Sequence, residues 1–479
     1  MNFDLQASSQ PLPRLLATPI AGVWRTGAML LAWACIGAAG PARAVSLSEV
    51  YAQALQNDPQ LRGAQSAYRA GQEAGAIARA ALLPKIALEA ALVRSRADTR
   101  TTLSNPFATG AQSITESNSP GYNITLAQPL FNQPILHDYR RGLIQMDLAG
   151  LQLESERQAL ILRVADAYLQ TITAGAKYAA ARSAEDALRL QWKAAKLKYD
   201  MGMARMSAYL EAQAALDGAS ADSVVAGNRV NIAFDGLKAI TGQPLAELSA
   251  LPDDFAVLAP APLAYAPWRD AALSNNVELQ AARRAVDAAH QLALGRAAGH
   301  LPTVAASLRY SDGYDRRNYD LALPDKQIKR GASIALTVSI PLYSGGAVSA
   351  GAREALFLYQ EQRDKRDGAE RHVLQKTHAA YLDVISGVAA VKARKAAIVS
   401  SRSALEYARR GYDEGVIDML NVLDAEKTLG QARQNYADAL YSYLIAGLNL
   451  KQQTGALGAG DIAELDLRLD RGRPVVDIQ

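Results

Sequence analysis

The stretch Ser333-Ile334-Ala335-Leu336-Thr337-Val338-Ser339-Ile340 alternates strictly between small or polar and large apolar residues. That period of two is the signature of a β-strand with one apolar face. The same alternation occurs in Ile86, Leu88, Ala90 and Leu92, in Tyr122, Ile124 and Leu126, and in Val304, Ala306, Leu308 and Tyr310. These stretches predict two hairpins, at about 85–131 and 303–343, with polar loops expected at Ser95–Pro120 and Ser311–Arg330. Strands of ~10 residues are long enough to cross a bilayer, and a small or polar second face suits a barrel lumen. Four strands cannot close a barrel, because about eight is the minimum. The chain is therefore expected to contribute its four strands to a shared, oligomeric barrel.

Outward from the hairpins, the chain is written twice. At an offset of 213, Tyr412-Asp413-Glu414-Gly415 falls on Tyr199-Asp200-Met201-Gly202, and Leu450-Lys451 and Thr454-Gly455 fall on Leu237-Lys238 and Thr241-Gly242. Upstream, Leu55, Asn57, Leu61, Leu83 and Pro84 recur as Leu273, Asn275, Leu279, Leu301 and Pro302. One structural unit used twice builds a pseudo-symmetric object. The implied organisation is a first repeat over 45–242, a linker or equatorial segment at 243–267, a second repeat over 268–455, and a tail at 456–479.

After each predicted hairpin, helix-forming sequence runs for some 65 residues, from Pro134 to about Tyr199 and from about Ala347 to Tyr412. At ~1.5 Å per residue, each would span roughly 100 Å. Tyr-x-x-Gly turns follow, and the chain returns with heptads. One seam is Tyr209, Ala212, Leu216, Ala219, Ser223, Ala226, Val230, Ala233 and Leu237. The other is Val422, Ala425, Leu429, Ala432, Tyr436, Ala439, Tyr443, Ala446 and Leu450. Alternating steps of three and four are the coiled-coil period, and the alanines let helices approach closely.

Residues 1–44 read as a secretory signal peptide. Arg14 and Arg25 precede an apolar run from Ala28 to Ala39, and Ala42-Arg43-Ala44 supplies the cleavage site. The run is too short for a spanning helix of ~20 residues. Its removal takes Arg14, Arg25, Arg43 and Asp4, bringing the formal net charge from +4 to about +2, too balanced to argue for nucleic acid. The one cysteine, Cys35, leaves with the signal, unless it is the acylated first residue of a lipoprotein. The mature chain would then hold no disulfide and no thiol site. No cofactor and no metal site is expected: the nearest histidines, His372 and His378, lie on different helix faces, and no phosphate-binding loop is present. Gly455-x-x-Gly458-x-Gly460 reads as flexible linker.

Taken in order, several segments resemble the TolC-like family of outer-membrane channels: Ser46-Leu47-Ser48-Glu49-Val50 through Leu55-Gln56-Asn57-Asp58-Pro59, Ala80-Ala81-Leu82-Leu83-Pro84, Gln128-Pro129-Leu130-Phe131, Ala165-Asp166-Ala167-Tyr168-Leu169 and Ile340-Pro341-Leu342-Tyr343. The Tyr-x-x-Gly turns, followed by Leu210-Glu211-Ala212 and Leu423-Asp424-Ala425, complete the match. The resemblance implies an α+β membrane protein, internally duplicated: a homotrimer with a shared 12-stranded outer-membrane barrel embedded in lipid, and a long coiled-coil tunnel in the periplasm. It also implies an equatorial collar drawn from Pro244–Pro267 and the tail after Gly455. Its partners would be a periplasmic adaptor and an inner-membrane ABC transporter or proton-driven pump. Nothing is catalysed.

The resemblance also places a gate at the hairpin tips. Tyr199, Gly202 and Gly415 mark the tip turns. Asn421 and Asp424 match the acidic ring of the entrance, although Asn421 is not acidic, and Asp418 stands one turn earlier. Tyr412 matches a residue that hydrogen-bonds a neighbouring helix, but its partner position is Ala208 here, leaving Arg205 or Asp200 as substitutes. The segments tilt the expected cargo toward type I protein secretion. Drug, dye or metal efflux through the same fold is the alternative, and a soluble periplasmic coiled-coil scaffold is the reading from another class.

Overall fold

The computed structural model describes residues 44–101, 111–252, 254–319 and 323–476. The signal segment, apart from Ala44, and Cys35 lie outside these residues. In chain order the elements are α1 (Leu47–Asn57), α2 (Pro59–Ala80), β1 (Lys85–Thr101), β2 (Ala111–Phe131), α3 (Gln133–Asp200), α4 (Met206–Thr241) and β3 (Glu247–Ala250). Then come α5 (Tyr265–Asn275), α6 (Val277–Ala297), β4 (Thr303–Tyr319), β5 (Asp325–Ser339), α7 (Ala347–Asp413), α8 (Met419–Gln453), α9 (Ala459–Asp466) and β6 (Asp470–Val476).

The duplication repeats individual contacts. Asp58 and Asn276 each break an Ala-rich helical run in two and cap the second piece. Their side chains accept from the backbone N–H of Leu61 at 2.7 Å and of Leu279 at 3.0 Å. Each cap satisfies an otherwise orphaned amide at a helix start. At the far end, Thr241 and Thr454 donate to the Leu237 and Leu450 carbonyls at 3.0 and 3.1 Å.

Helices α3 and α7 run for 68 and 67 residues, and α4 and α8 for 36 and 35. All residues of both predicted heptad seams are buried or half-buried. The largest core gathers halfway along α3, where Leu160, Val164, Ala165, Tyr168 and Leu169 are wholly inaccessible. Their spacing marks one helix stripe. Burying each large side chain contributes roughly 1.5–3 kcal/mol.

Around this stripe the chain wraps a small belt. β3 pairs antiparallel with β6, and Val45 bridges to Leu248 in parallel. The Tyr168 hydroxyl donates into the belt, to the carbonyls of Val45 at 3.2 Å and Ser249 at 3.0 Å. The tail after Gly455 corrects the flexible-linker reading. Gly458 caps α9, its N–H donating to Asp461 at 2.8 Å, and Lys451 reaches Asp461 and Glu464. Ile462 and Leu465 are buried beneath. Three glycines looked like slack, yet the apolar residues between and after them dock the segment.

The membrane sheet has the order β1-β2-β4-β5, antiparallel throughout. Its strands correct the expected loops: β1 continues to Thr101, β2 starts at Ala111, and Asp312–Tyr319 and Asp325–Arg330 are strand. These stretches lack apolar alternation yet remain strand, because the backbone ladder continues beyond the apolar band with polar side chains on both faces. Cross-strand pairs carry the ladder onward, including Ser95 Oγ with Ser117 Oγ at 2.6 Å and Arg96 with Glu116 at 3.3 Å.

Tyr168→Phe should lower stability by about 1–2 kcal/mol through the lost hydroxyl bonds. Burial pushes the Tyr168 hydroxyl above its ordinary 10.0, opposed by the bond to Ser249 and helped by the Asp466 charge. The unfolded tyrosine therefore ionises first, so this contribution is complete below pH 10 and declines above it. Thermal unfolding from pH 8 to 11 should fall more steeply for the native chain than for Tyr168→Phe.

Candidate functional site

The sheet forms a wall with two chemically distinct faces. Residues paired across strands share a face, so the register reads as rows. One row holds Ile86, Leu126, Leu308 and Ile334, and the next Leu88, Ile124, Tyr310 and Ala332. Val304 and Val338 mark the helix-proximal end of this apolar face, and Tyr314 and Ile328 the distal end. The ten steps from Val304 to Tyr314 cover ~34 Å along the strand, or ~25 Å of height at a tilt near 40°, the height of an outer-membrane apolar band, here interrupted by the Asp312–Arg330 ion pair. Tyr122 and Tyr310, 6.4 Å apart, lie within it.

The opposite face carries Thr125, Arg309 and Ser333 in one row and Glu89, Asn123 and Ser311 in the next. Asn123 donates to Glu89 at 3.3 Å. This face suits water. Among the described residues the two edge strands β1 and β5 have no partner on their outer sides, and every residue of β5 is exposed.

The other candidate region is the pair of helical tips. Gly202 and Gly415 stand at φ +72° and +79°, directly after α3 and α7. There the N–H of Met203 donates to Lys198 at 2.7 Å and that of Val416 to Gly411 at 2.8 Å. A left-handed residue closing a helix in this way is normally glycine, since a Cβ there costs roughly 1–2 kcal/mol. Both glycines of the Tyr-x-x-Gly pattern are explained.

An apolar cluster pins the two tips together: Leu188 and Ala195 from α3, Ala212 from α4, Leu405 and Ala408 from α7, and Met419, Val422, Leu423 and Leu429 from α8. Tyr199 stacks on Tyr209 within the first hairpin, centroids 5.8 Å apart and planes 14° apart. Tyr412 is half-buried against this cluster. Among the described residues its hydroxyl has no intrachain partner, and its ring instead lies 4.5 Å from the Lys198 ammonium. That cation–π contact links α7 to α3. Ala208 packs beside the cluster, and Arg205 and Asp200 are exposed.

The three acidic-ring candidates come together at the start of α8. Asp418 is its N-cap residue, and its backbone carbonyl accepts from the Asn421 N–H at 3.1 Å. Asn421 and Asp424 follow at a spacing of three, and all three side chains are exposed. Two acidic residues were missed. Glu426 is buried and bonded to Arg409 at 2.7 Å, and Glu185 is held between Arg182 and Arg189 at 3.1 and 2.6 Å. Period counting reports apolar seams, so an acid buried beside a seam is invisible to it.

Further contacts join α3 to α8: Lys177 to Asp438 at 2.6 Å, Arg433 to Ser183 at 3.2 Å, and Tyr441 to Asp166. Among the described residues no helix is long and apolar enough to cross a membrane, and no cluster suits a metal ion.

Comparison with known proteins fits this geometry. The family described as outer membrane efflux protein matches residues 50–243 and 268–456. The chain is 28% identical to outer membrane protein TolC of Vibrio cholerae, over 89% of this chain and 94% of that protein. It is 30% identical to the alkaline protease secretion protein AprF of Pseudomonas aeruginosa, over 88% and 86%. The solved outer-membrane channel OprN superposes with a TM-score of 0.72 at 19% identity, covering 88% of this chain and 94% of that one. The chain belongs to the outer membrane efflux protein family, and it is an outer-membrane channel with a helical tunnel in the periplasm rather than an enzyme.

Proposed function

We propose that three copies of this chain close a twelve-stranded barrel and form the outer-membrane exit duct of a type I protein-secretion machine. The observation that carries the duct is the four-stranded sheet with an apolar outer face and two unpaired edges. Open edges in hydrocarbon cost several kcal/mol per unsatisfied group. Pairing β5 of one copy with β1 of the next removes them, and three copies supply more than the eight strands needed to close. Similarity to a protein named for alkaline protease secretion supports the protein-export branch. In this reading a periplasmic adaptor and an inner-membrane ABC transporter deliver the cargo. A proton-driven pump exporting small molecules is the alternative served by the same fold.

The helical tips would form the entrance. Three copies of Asp424, with Asn421 and Asp418 beside it, would line a narrow negative ring that admits cations and resists anions. The Lys198–Tyr412 contact and the Leu405/Val422/Leu423 cluster would hold the two hairpins of each copy together and keep that ring small.

In planar bilayers the purified protein should form pores of low conductance and cation preference, and Asp424→Ala should weaken the preference severalfold. Unchanged selectivity would remove Asp424 from the constriction. Coexpression with an ABC transporter, its adaptor and their exported protein should restore secretion to cells lacking their own duct. Rescue of dye efflux alone would favour the small-molecule alternative. Arg409→Ala should strand Glu426 without its partner, cost roughly 1–3 kcal/mol locally, and speed proteolysis at residues 411–418. Arg409→Ala/Glu426→Gln should recover much of the protection.

A further inference from the structure

The outward face of the barrel wall changes character abruptly at its distal end. Above the row of Leu92, Pro120, Tyr314 and Ile328, the next row holds Arg94, Asn118, Arg316 and Lys326. Arg316 and Lys326 are direct cross-strand partners. Like charges so placed destabilise a sheet unless something neutralises them. Among the described residues nothing does so: Arg94, Arg316 and Lys326 have no carboxylate within ion-pair distance, and Lys326 instead lies 4.7 Å from the Tyr314 ring. Two rows below, Arg330 is paired with Asp312 at 3.2 Å, so the excess of positive charge sits in the upper row.

Beneath these cations the wall is dented. Gly121 and Gly313 are cross-strand partners, and a Cβ on Gly313 would come within 2.9 Å of the Pro120 carbonyl. An open cavity of about 670 Å³ lies there, lined by Leu92, Pro120, Tyr122, Tyr314 and Ile328, with Lys326 and the mutually paired Asp312 and Arg330 among its walls. A largely apolar dent, its Asp312–Arg330 ion pair internally neutral and its upper edge carrying unpaired cations, is complementary to an amphiphile with an anionic head.

The strands join the helices at their other ends, so this row lies on the side of the membrane away from the periplasmic tunnel. We infer that Arg94, Arg316 and Lys326 form a docking site for a phosphate-bearing lipid headgroup of the outer leaflet, with an acyl chain of the same lipid lying in the dent below. The inference rests on the outer-membrane orientation of the barrel, not on the identity of the cargo. Its chemistry is charge-assisted: guanidinium groups bond phosphate oxygens in bidentate fashion, and Lys326 adds a point charge. The site lies on the outer surface of the wall, so pairing at the β1 and β5 edges leaves it open to lipid.

The test is native mass spectrometry of the detergent-purified oligomer titrated with diphosphoryl lipid A, beside its dephosphorylated form and inorganic phosphate. The wild type should retain diphosphoryl lipid A, and dephosphorylated lipid should bind at least ~10-fold more weakly. The variant Arg94→Gln/Arg316→Gln/Lys326→Gln should show a similar loss. A control triple variant on the opposite face, Arg309→Gln/Lys329→Gln/Glu89→Gln, should bind as the wild type does. Equal binding by the outward variant and the wild type would overturn the inference. So would an equal loss in the control, or competition by inorganic phosphate at equimolar concentration, which would indicate a simple anion site. Pore formation by the outward variant in planar bilayers verifies that the barrel has folded. A variant that conducts normally but keeps its lipid would sink the lipid site while leaving the duct intact.

Discussion

The structure depends on one constraint: a backbone amide or carbonyl inside hydrocarbon must be hydrogen-bonded to protein, because no water is there to take its place. Each chain meets that constraint along three ladders, β1–β2, β2–β4 and β4–β5, and fails it at two edges. A single copy is thus incomplete as a membrane object. The same deficit accounts for the pattern of exposure, in which Ile334, Leu336, Leu342 and Tyr343 lie bare on the isolated chain. Such residues belong against lipid or a neighbouring copy.

Below the sheet the constraint changes, because the helices satisfy their own backbones and must only bury a stripe. The long helices α3 and α7 carry that stripe unevenly. Around Tyr168 it is dense and enclosed by β3, β6, α1 and α9, whereas near the tips it thins to the smaller cluster around Leu405 and Val422. Local stability follows buried contact density. The midpoint is thus the rigid station of the helical region, and the tips, closed by two glycine turns and a few polar contacts, are the part able to rearrange.

The duplication lets each half test the other. Asp58 and Asn276 perform the same capping with different chemistry, and Thr241 and Thr454 return the same bond to a leucine carbonyl. The halves diverge where they meet. Lys198 and Tyr412 sit at corresponding ends of α3 and α7, yet they form one asymmetric contact between the repeats. The belt is asymmetric too, since its tail strand β6 comes after the second repeat and pairs with β3 after the first.

Local sequence determined everything that repeats with a short period. Alternation at 86–92 and 333–340 placed the strands and their apolar face, heptads placed the seams of α4 and α8, and Tyr-x-x-Gly placed the tip turns, because each records a regular backbone meeting a single boundary. The polar halves of the strands, the docking of residues 456–476 and the buried Glu185 and Glu426 were not legible, because they depend on partners far away in the chain. Asp424, Asn421 and Asp418 could be placed on one side of a helix start from spacing alone, but the ring on Tyr412 above the Lys198 ammonium could not. Only the tertiary structure decided which groups were neutralised and which were left in want of a partner, since charge balance is set by proximity in space and not by period along the chain.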